Sequence, residues 1–361
     1  MELSILDSSF GLVGIIDAFE SLIWTDRYFE CGDFDLITTP NATNVGKLIQ
    51  GTYASIRESD HIMLIEDITI VTDPVKGNRL SVKGRSGEII TDRRVVWNQT
   101  DITDLNIDQA VYLVVNGNII APTGDNAAAR IISNFTYDFS EDENVTDIII
   151  SSQYWGNSVY NAVVDMCYAA GVGFKVIINE TGQFVMSVYA GVDRTYDQLE
   201  NPYVIFSPDF ENLRNSTYIA STRPLRTVCL TAGEKGIGNI QTSVEVDISD
   251  GEVIGVNRRE MFLDAQNVTR TDDEGNPITE EEYLDHLRQK GLEELSINTD
   301  LKTFSSEVDP IRNFIFDRDF FMGDIIQVSN EFGFEGKSRV VEVTRTQDQT
   351  GFRVFPIFSA L

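Results

Sequence analysis

The stretch "FDRDFFMGDIIQVSN", residues 316–330, decides how the chain is read. Phe316, Phe320, Phe321 and Met322 lead into Gly323-Asp324, and an alternating run follows from Ile325. An acid set among aromatic rings suits an active site. A Gly-Asp corner ahead of a strand suits a β scaffold. Gly allows a backbone turn that other residues resist, and Asp bonds to its own local backbone. The pair therefore predicts a tight corner, with a strand starting at Ile325.

The neighbouring patterns are also β-rich. Residues 22–38 predict strands on either side of a Cys31-Gly32-Asp33 turn. Residues 61–84 predict a hairpin around Pro74–Asn78, with Leu80 and Val82 answering Ile62, Leu64, Ile68 and Ile70, which sit at even positions. The middle differs. Val159, Ala162, Val163, Met166, Cys167 and Ala170 share one helical face, Ser158 can cap its start, and Gly171 can end it. A hairpin follows, with Phe174, Val176 and Ile178 facing Phe184, Met186 and Val188. Strands return after Pro202. They are interrupted by one helix near 279–297, where Thr279 and Glu282 form a capping box and Tyr283, Leu284, Leu287, Leu292 and Leu295 form the apolar stripe.

The bulk numbers exclude several classes. The 361 residues are 42% hydrophobic, enough for two or three domains with real cores. No run of 18 apolar residues exists, so no membrane-spanning helix or stable membrane insertion is expected. The N-terminus lacks a basic start, so no secretory signal is expected. The 57 acids against 28 bases give a net charge of −29, a surface that repels nucleic acid. Residues 1–26 and 131–174 contain no Lys or Arg.

Catalytic chemistry finds few footholds. Cys31, Cys167 and Cys229 are far apart, and His61 and His286 stand alone, so no zinc site or nucleophile–base pair is expected. Cys167 reads as a buried, inert thiol. "TAGEKGIGN" at 231–239 lacks the spacing of a phosphate loop. Asp193, Glu234 and Asp324 are candidates for a glycosidase pair, although acids are too common here for proximity to mean much. Residues 138–147 lack the glycine of a calcium loop. Arg93-Arg94 and Arg258-Arg259 are expected to neutralise nearby acids. Trp24, Trp97 and Trp155 are expected in the core, with sugar stacking as the alternative.

Several stretches together resemble one family. "WTDRYFECGDFDLITTP" at 24–40, "YAGVDRT" at 189–195, "NPYVIFSPDFENL" at 201–213, "GVNRREMFLDA" at 255–265 and the C-terminal run from Phe321 resemble the Gp37-like siphovirus tail family. That family is similar to baseplate hubs and to the hub region of tail-associated lysins. The resemblance implies an α+β, mostly β fold with two tail-tube-like β-barrel domains and an inserted α/β module. The expected division is 1–105, 106–205 and 206–361. It implies a homotrimeric ring, with a distal tail or tail-tube protein above and a fibre or tip protein below. DNA and tape-measure protein would pass through without specific binding. No catalytic residue, cofactor or metal is implied. Asp193, Arg194, Arg259, Glu260, Gly323 and Asp324 are the family-motif positions, with structural roles expected. The chain ends at Leu361 after the last tube-like strand, so no lytic role is expected. A cell-wall-active enzyme and a carbohydrate-binding adhesion module are the alternatives.

Overall fold

The computed structural model describes residues 1–75, 77–210, 212, 214–235, 241–307, 314–329, 332 and 335–361. Asn330 of the opening stretch, Lys76 of the hairpin turn, 211 and 213 of the 201–213 motif, residues 333–334 of the C-terminal motif and 236–239 of the glycine-rich loop lie outside the described residues.

The first part of the chain forms β1 (Leu3–Leu6), β2 (Leu12–Ile16), β3 (Ser21–Arg27), β4 (Asp33–Thr38), α1 (Ala42–Lys47), β5 (Tyr53–Ile56), β6 (Met63–Val71) and β7 (Arg79–Ser86). The turn at Cys31-Gly32 separates β3 from β4, as the pattern predicts. Ile68 faces Val82 and Ile70 faces Leu80 across the β6–β7 hairpin. Trp24, Phe34, Leu36, Met63 and Val82 form the core here.

The middle contains β8 (Thr100–Asn106), α2 (Ile107–Val115), α3 (Ala127–Arg130), β9 (Phe135–Tyr137), α4 (Glu143–Thr146), β10 (Ile149–Tyr154), α5 (Val159–Ala170), β11 (Gly173–Ile178) and β12 (Phe184–Tyr189). Helix α5 begins where Ser158 accepts the Asn161 N–H and ends at Gly171, φ +70°. Both ends match the sequence reading, and Val163, Met166 and Cys167 are buried against Phe174, Val176 and Met186. Helix α2 is capped by Asn106, which accepts the Gln109 N–H.

The last part contains β13 (Ile205–Phe206), β14 (Arg214–Ser221), β15 (Val228–Lys235), β16 (Gln241–Asp247), β17 (Glu260–Asp264), α6 (Glu280–Ile297), β18 (Leu301–Glu307), β19 (Ile325–Ser329), β20 (Glu335–Asp348) and β21 (Gly351–Ala360). Thr279 caps α6 by accepting the Glu282 N–H. Tyr283, Leu287 and Leu295 are buried, but Leu292 is exposed. Phe206 lies 5.2 Å from the Phe358 ring and 5.3 Å from Phe320. Burying one such side chain contributes about 1.5–3 kcal/mol. An exposed pair such as Arg318–Asp319 adds about 0–1 kcal/mol. The phenylalanines therefore dominate this core.

The first and last parts share one sheet. Its order is β14-β18-β21-β20-β3-β4-β7-β6-β5-β1-β2, with β19 and β13 on a branch. The joint is β3 against β20, from Ser21 opposite Asp348 to Arg27 opposite Glu342. Strands dominate, so the α+β, mostly β class holds. The two closed barrels are not found. Among the described residues no sheet closes on itself, because terminal strands β2 and β14 each pair with one neighbour. Trp24 is buried, but Trp97 and Trp155 are 55% and 51% exposed, which corrects their core assignment. No helix among the described residues is long and apolar enough to cross a membrane.

Candidate functional site

Gly323 makes the corner expected of it. Its φ is +89°, and a Cβ there would lie 2.3 Å from the Tyr28 ring, so only glycine fits. Gly323 N donates to Val340 O at 2.9 Å, and Val340 N donates to Asp324 O at 2.9 Å. The corner is thereby fastened to β20.

The Asp324 carboxylate bonds within its own turn and also reaches beyond it. Oδ1 accepts the Val192 N–H at 2.9 Å. Oδ2 accepts the Phe321 N–H at 2.9 Å and pairs with Arg194 Nε at 2.5 Å. The Arg194 guanidinium also lies 5.6 Å over the Phe321 ring. Ile325 N donates to Val192 O, and Arg194 N donates to Ile325 O. Asp193 accepts the Thr195 N–H and pairs with Lys337 at 3.4 Å. Asp193, Arg194, Gly323 and Asp324 thus meet where the chain leaves the middle part and rejoins the large sheet. Both oxygens of the buried Asp324 are engaged, which suits a brace.

Arg259 and Glu260 sit elsewhere, at the start of β17. Arg259 O accepts the Thr227 N–H, Arg259 N donates to Thr227 Oγ1, and the Arg259 side chain donates to Thr222 O. Glu260 accepts from Arg258 Nε at 2.7 Å. Arg258 also meets Glu245 and Asp247, as expected of a base among acids. Arg94 departs from that expectation and donates to the carbonyls of Arg93 and Arg130. Glu234 pairs with Arg270 at 3.9 Å, in a different sheet from Asp324. Asp142, in the acidic 138–147 run, caps α4. No group of three His, Cys, Asp or Glu among the described residues is arranged to hold a metal.

A cleft of about 750 Å³ opens beside this brace, lined by Phe316, Phe321, Arg57, Lys175 and Asp324 among others. Its floor is a charged network that spacing did not reveal. Arg345 on β20 hydrogen bonds to Asp26 on β3, and both are buried. Asp26 also accepts from Ser59 Oγ at 2.8 Å and Trp24 Nε1 at 3.1 Å. His61 Nδ1 lies 3.0 Å from Glu88 Oε1, and Val176 N donates to the same Glu88 oxygen at 2.9 Å. Burial opposes charge on His61, but Glu88 and Asp26 outweigh it and hold the imidazole up to about 9. Burial likewise opposes charge on Asp26 and Glu88. Asp26 is nonetheless held below the usual carboxylate range by His61 and Arg345, and Glu88 by His61. His61 was read as solitary because its partners are distant in sequence. The network joins β3, β20, the 3₁₀ turn Gly87–Arg93 and β11. Its acids and bases neutralise one another, an arrangement that fastens parts of a scaffold together.

The fold is similar to that of three solved tail proteins. A 43 kDa tail protein of prophage MuSo2 from Shewanella oneidensis matches with a TM-score of 0.56 at 13% identity, over 100% of this chain and 98% of its own. A tail protein from Neisseria meningitidis matches at 0.57 and 11%, over 99% and 95%. Prophage tail protein gp18 from Listeria monocytogenes matches at 0.54 and 10%, over 99% and 94%. No curated protein sequence matches. The profile of the siphovirus ReqiPepy6 Gp37-like proteins matches residues 2–358. The chain therefore belongs to the siphovirus ReqiPepy6 Gp37-like family.

Proposed function

We propose that this protein is a structural hub at the distal end of a phage tail. Three copies form a ring that bridges the sixfold tube to a threefold tip and leaves a channel for DNA and tape-measure protein. The observation that carries the reading is likeness over the full length: the chain shares one fold, end to end, with three proteins named as tail proteins. Parts 1–105 and 206–361 are the tube-like halves, and 106–205 is the inserted module. The β3–β20 joint gives the halves a common sheet, as two neighbours in a tube wall require. Asp193, Arg194, Gly323 and Asp324 brace the module against that sheet, and Arg259 and Glu260 order β17. A distal tail or tube protein sits above the ring, and a fibre or tip protein sits below.

The charge of −29 supports the channel. Lys and Arg along the lumen would bind phosphate and slow DNA, whereas an acidic lining avoids adhesion. Mass photometry of the purified chain tests the ring. A threefold species at micromolar concentration is expected, and a monomer alone at every concentration and ionic strength overturns it.

The adhesion reading draws support from the exposed rings of Trp97 and Trp155. Glycan-array binding that is lost in Trp97→Ala and Trp155→Ala would favour it.

A further inference from the structure

Among the described residues three strands of the large sheet pair with one neighbour each, β2, β14 and the two-residue β13, and the segments around the two longer ones differ in charge. Building on the trimeric reading above, we infer that β2 of one copy pairs edge to edge with β14 of the next, continuing one sheet head to tail.

Among the described residues β2 pairs only with β1, and β14 only with β18. Unpaired backbone edges invite another strand. Both edges expose apolar side chains: Leu12, Val13 and Ile15 on β2, and Ile219 on β14. The chain already makes one such joint, since β3 and β20 unite its two halves across seven residue pairs. Repeating that joint between copies calls for strands long enough to pair over several residues, which β2 and β14 are and the two-residue β13 is not.

Charge selects which edges meet. Residues 1–26 contain no Lys or Arg, and the exposed Glu2 and Asp17 form no ion pair among the described residues. Residues 212–233 contain Arg214, Arg223 and Arg226 and no acid, in a chain with twice as many acids as bases. Among the described residues the Arg226 side chain donates to the carbonyls of Arg223, Pro224 and Leu225, and neither it nor Arg223 meets a carboxylate. Two β2 edges repel each other, as do two β14 edges, so the mixed pair is favoured. A head-to-tail contact of this kind closes into a ring when its rotation closes. Before assembly the acidic edge has one guard: Lys47 Nζ donates to Ile15 O at 2.9 Å. An incoming strand replaces that flexible cation with a backbone N–H.

The test uses the full chain carrying Val13→Cys and Ile219→Cys together, oxidised at assembly concentration. Covalent dimers and trimers are expected, with none from either single variant or from the native cysteines. Asp17→Arg should weaken association roughly tenfold, or about 1.4 kcal/mol, and adding Arg223→Asp should restore it. Lys47→Ala should strengthen association. Trimers by mass photometry with no crosslink and no charge-swap effect would overturn this interface and leave the hub reading standing. A chain that stays monomeric would overturn both.

Discussion

Arg345 on β20 and Asp26 on β3 form a buried ion pair across the only seam between the first and last parts of the large sheet among the described residues. The two residues are 319 positions apart. Removing one member leaves the other charged and buried. Arg345→Ala and Asp26→Ala should each cost about 3–5 kcal/mol, read as a drop in the urea midpoint. The double variant should cost much less than the sum of the two.

The corner at Gly323 should tolerate no side chain. Gly323→Ala forces both a positive φ and a clash with Tyr28, and should cost roughly 3 kcal/mol or more. Asp324→Ala strands the N–H groups of Val192 and Phe321 and should cost about 2–4 kcal/mol. Asp324→Asn keeps one acceptor and should cost less. Denaturation curves rank the three.

Stability should have an alkaline limb set by His61. Its folded value of about 9 exceeds the ordinary 6.5, so its contribution is complete below 6.5 and is lost as pH rises through 9. The loss is of order 3 kcal/mol. Asp26 and Glu88 are held low, so their contribution is present above the ordinary values of 3.8 and 4.5 and is lost as pH falls further. Burial also holds His286 below 6.5, which adds a penalty on the acid side as the unfolded chain takes up a proton first. Melting temperature against pH should therefore peak near neutrality, and His61→Gln should flatten the alkaline limb.

A structural role for Asp324 has a direct consequence. Purified protein should clear no zone on peptidoglycan zymograms. Clearing that disappears in Asp324→Asn would make that acid catalytic.

Local features were legible in the sequence wherever a short-range rule governs them. The Ser158 and Thr279 caps, the Gly171 stop, the β6–β7 hairpin and the Gly323 corner each depend on a few adjacent residues. The β3–β20 joint and the His61–Glu88–Asp26–Arg345 network depend on residues far apart, and no spacing marks them. Asp26 does lie in the "WTDRYFECGDFDLITTP" motif, but nothing local identifies Arg345 as its partner. Trp97 and Trp155 sit beside apolar runs that resemble core, yet both lie outside the strands, before β8 and just past β10, and are exposed. The expected barrels failed for a related reason: closure depends on which distant edges meet.

Cryo-EM of the intact tail tip tests the central claim most directly. Three copies in one ring at the distal end of the tube are predicted, with acidic side chains outnumbering basic ones along the lumen. A single peripheral copy, or a lumen lined mainly by Lys and Arg, would contradict the account.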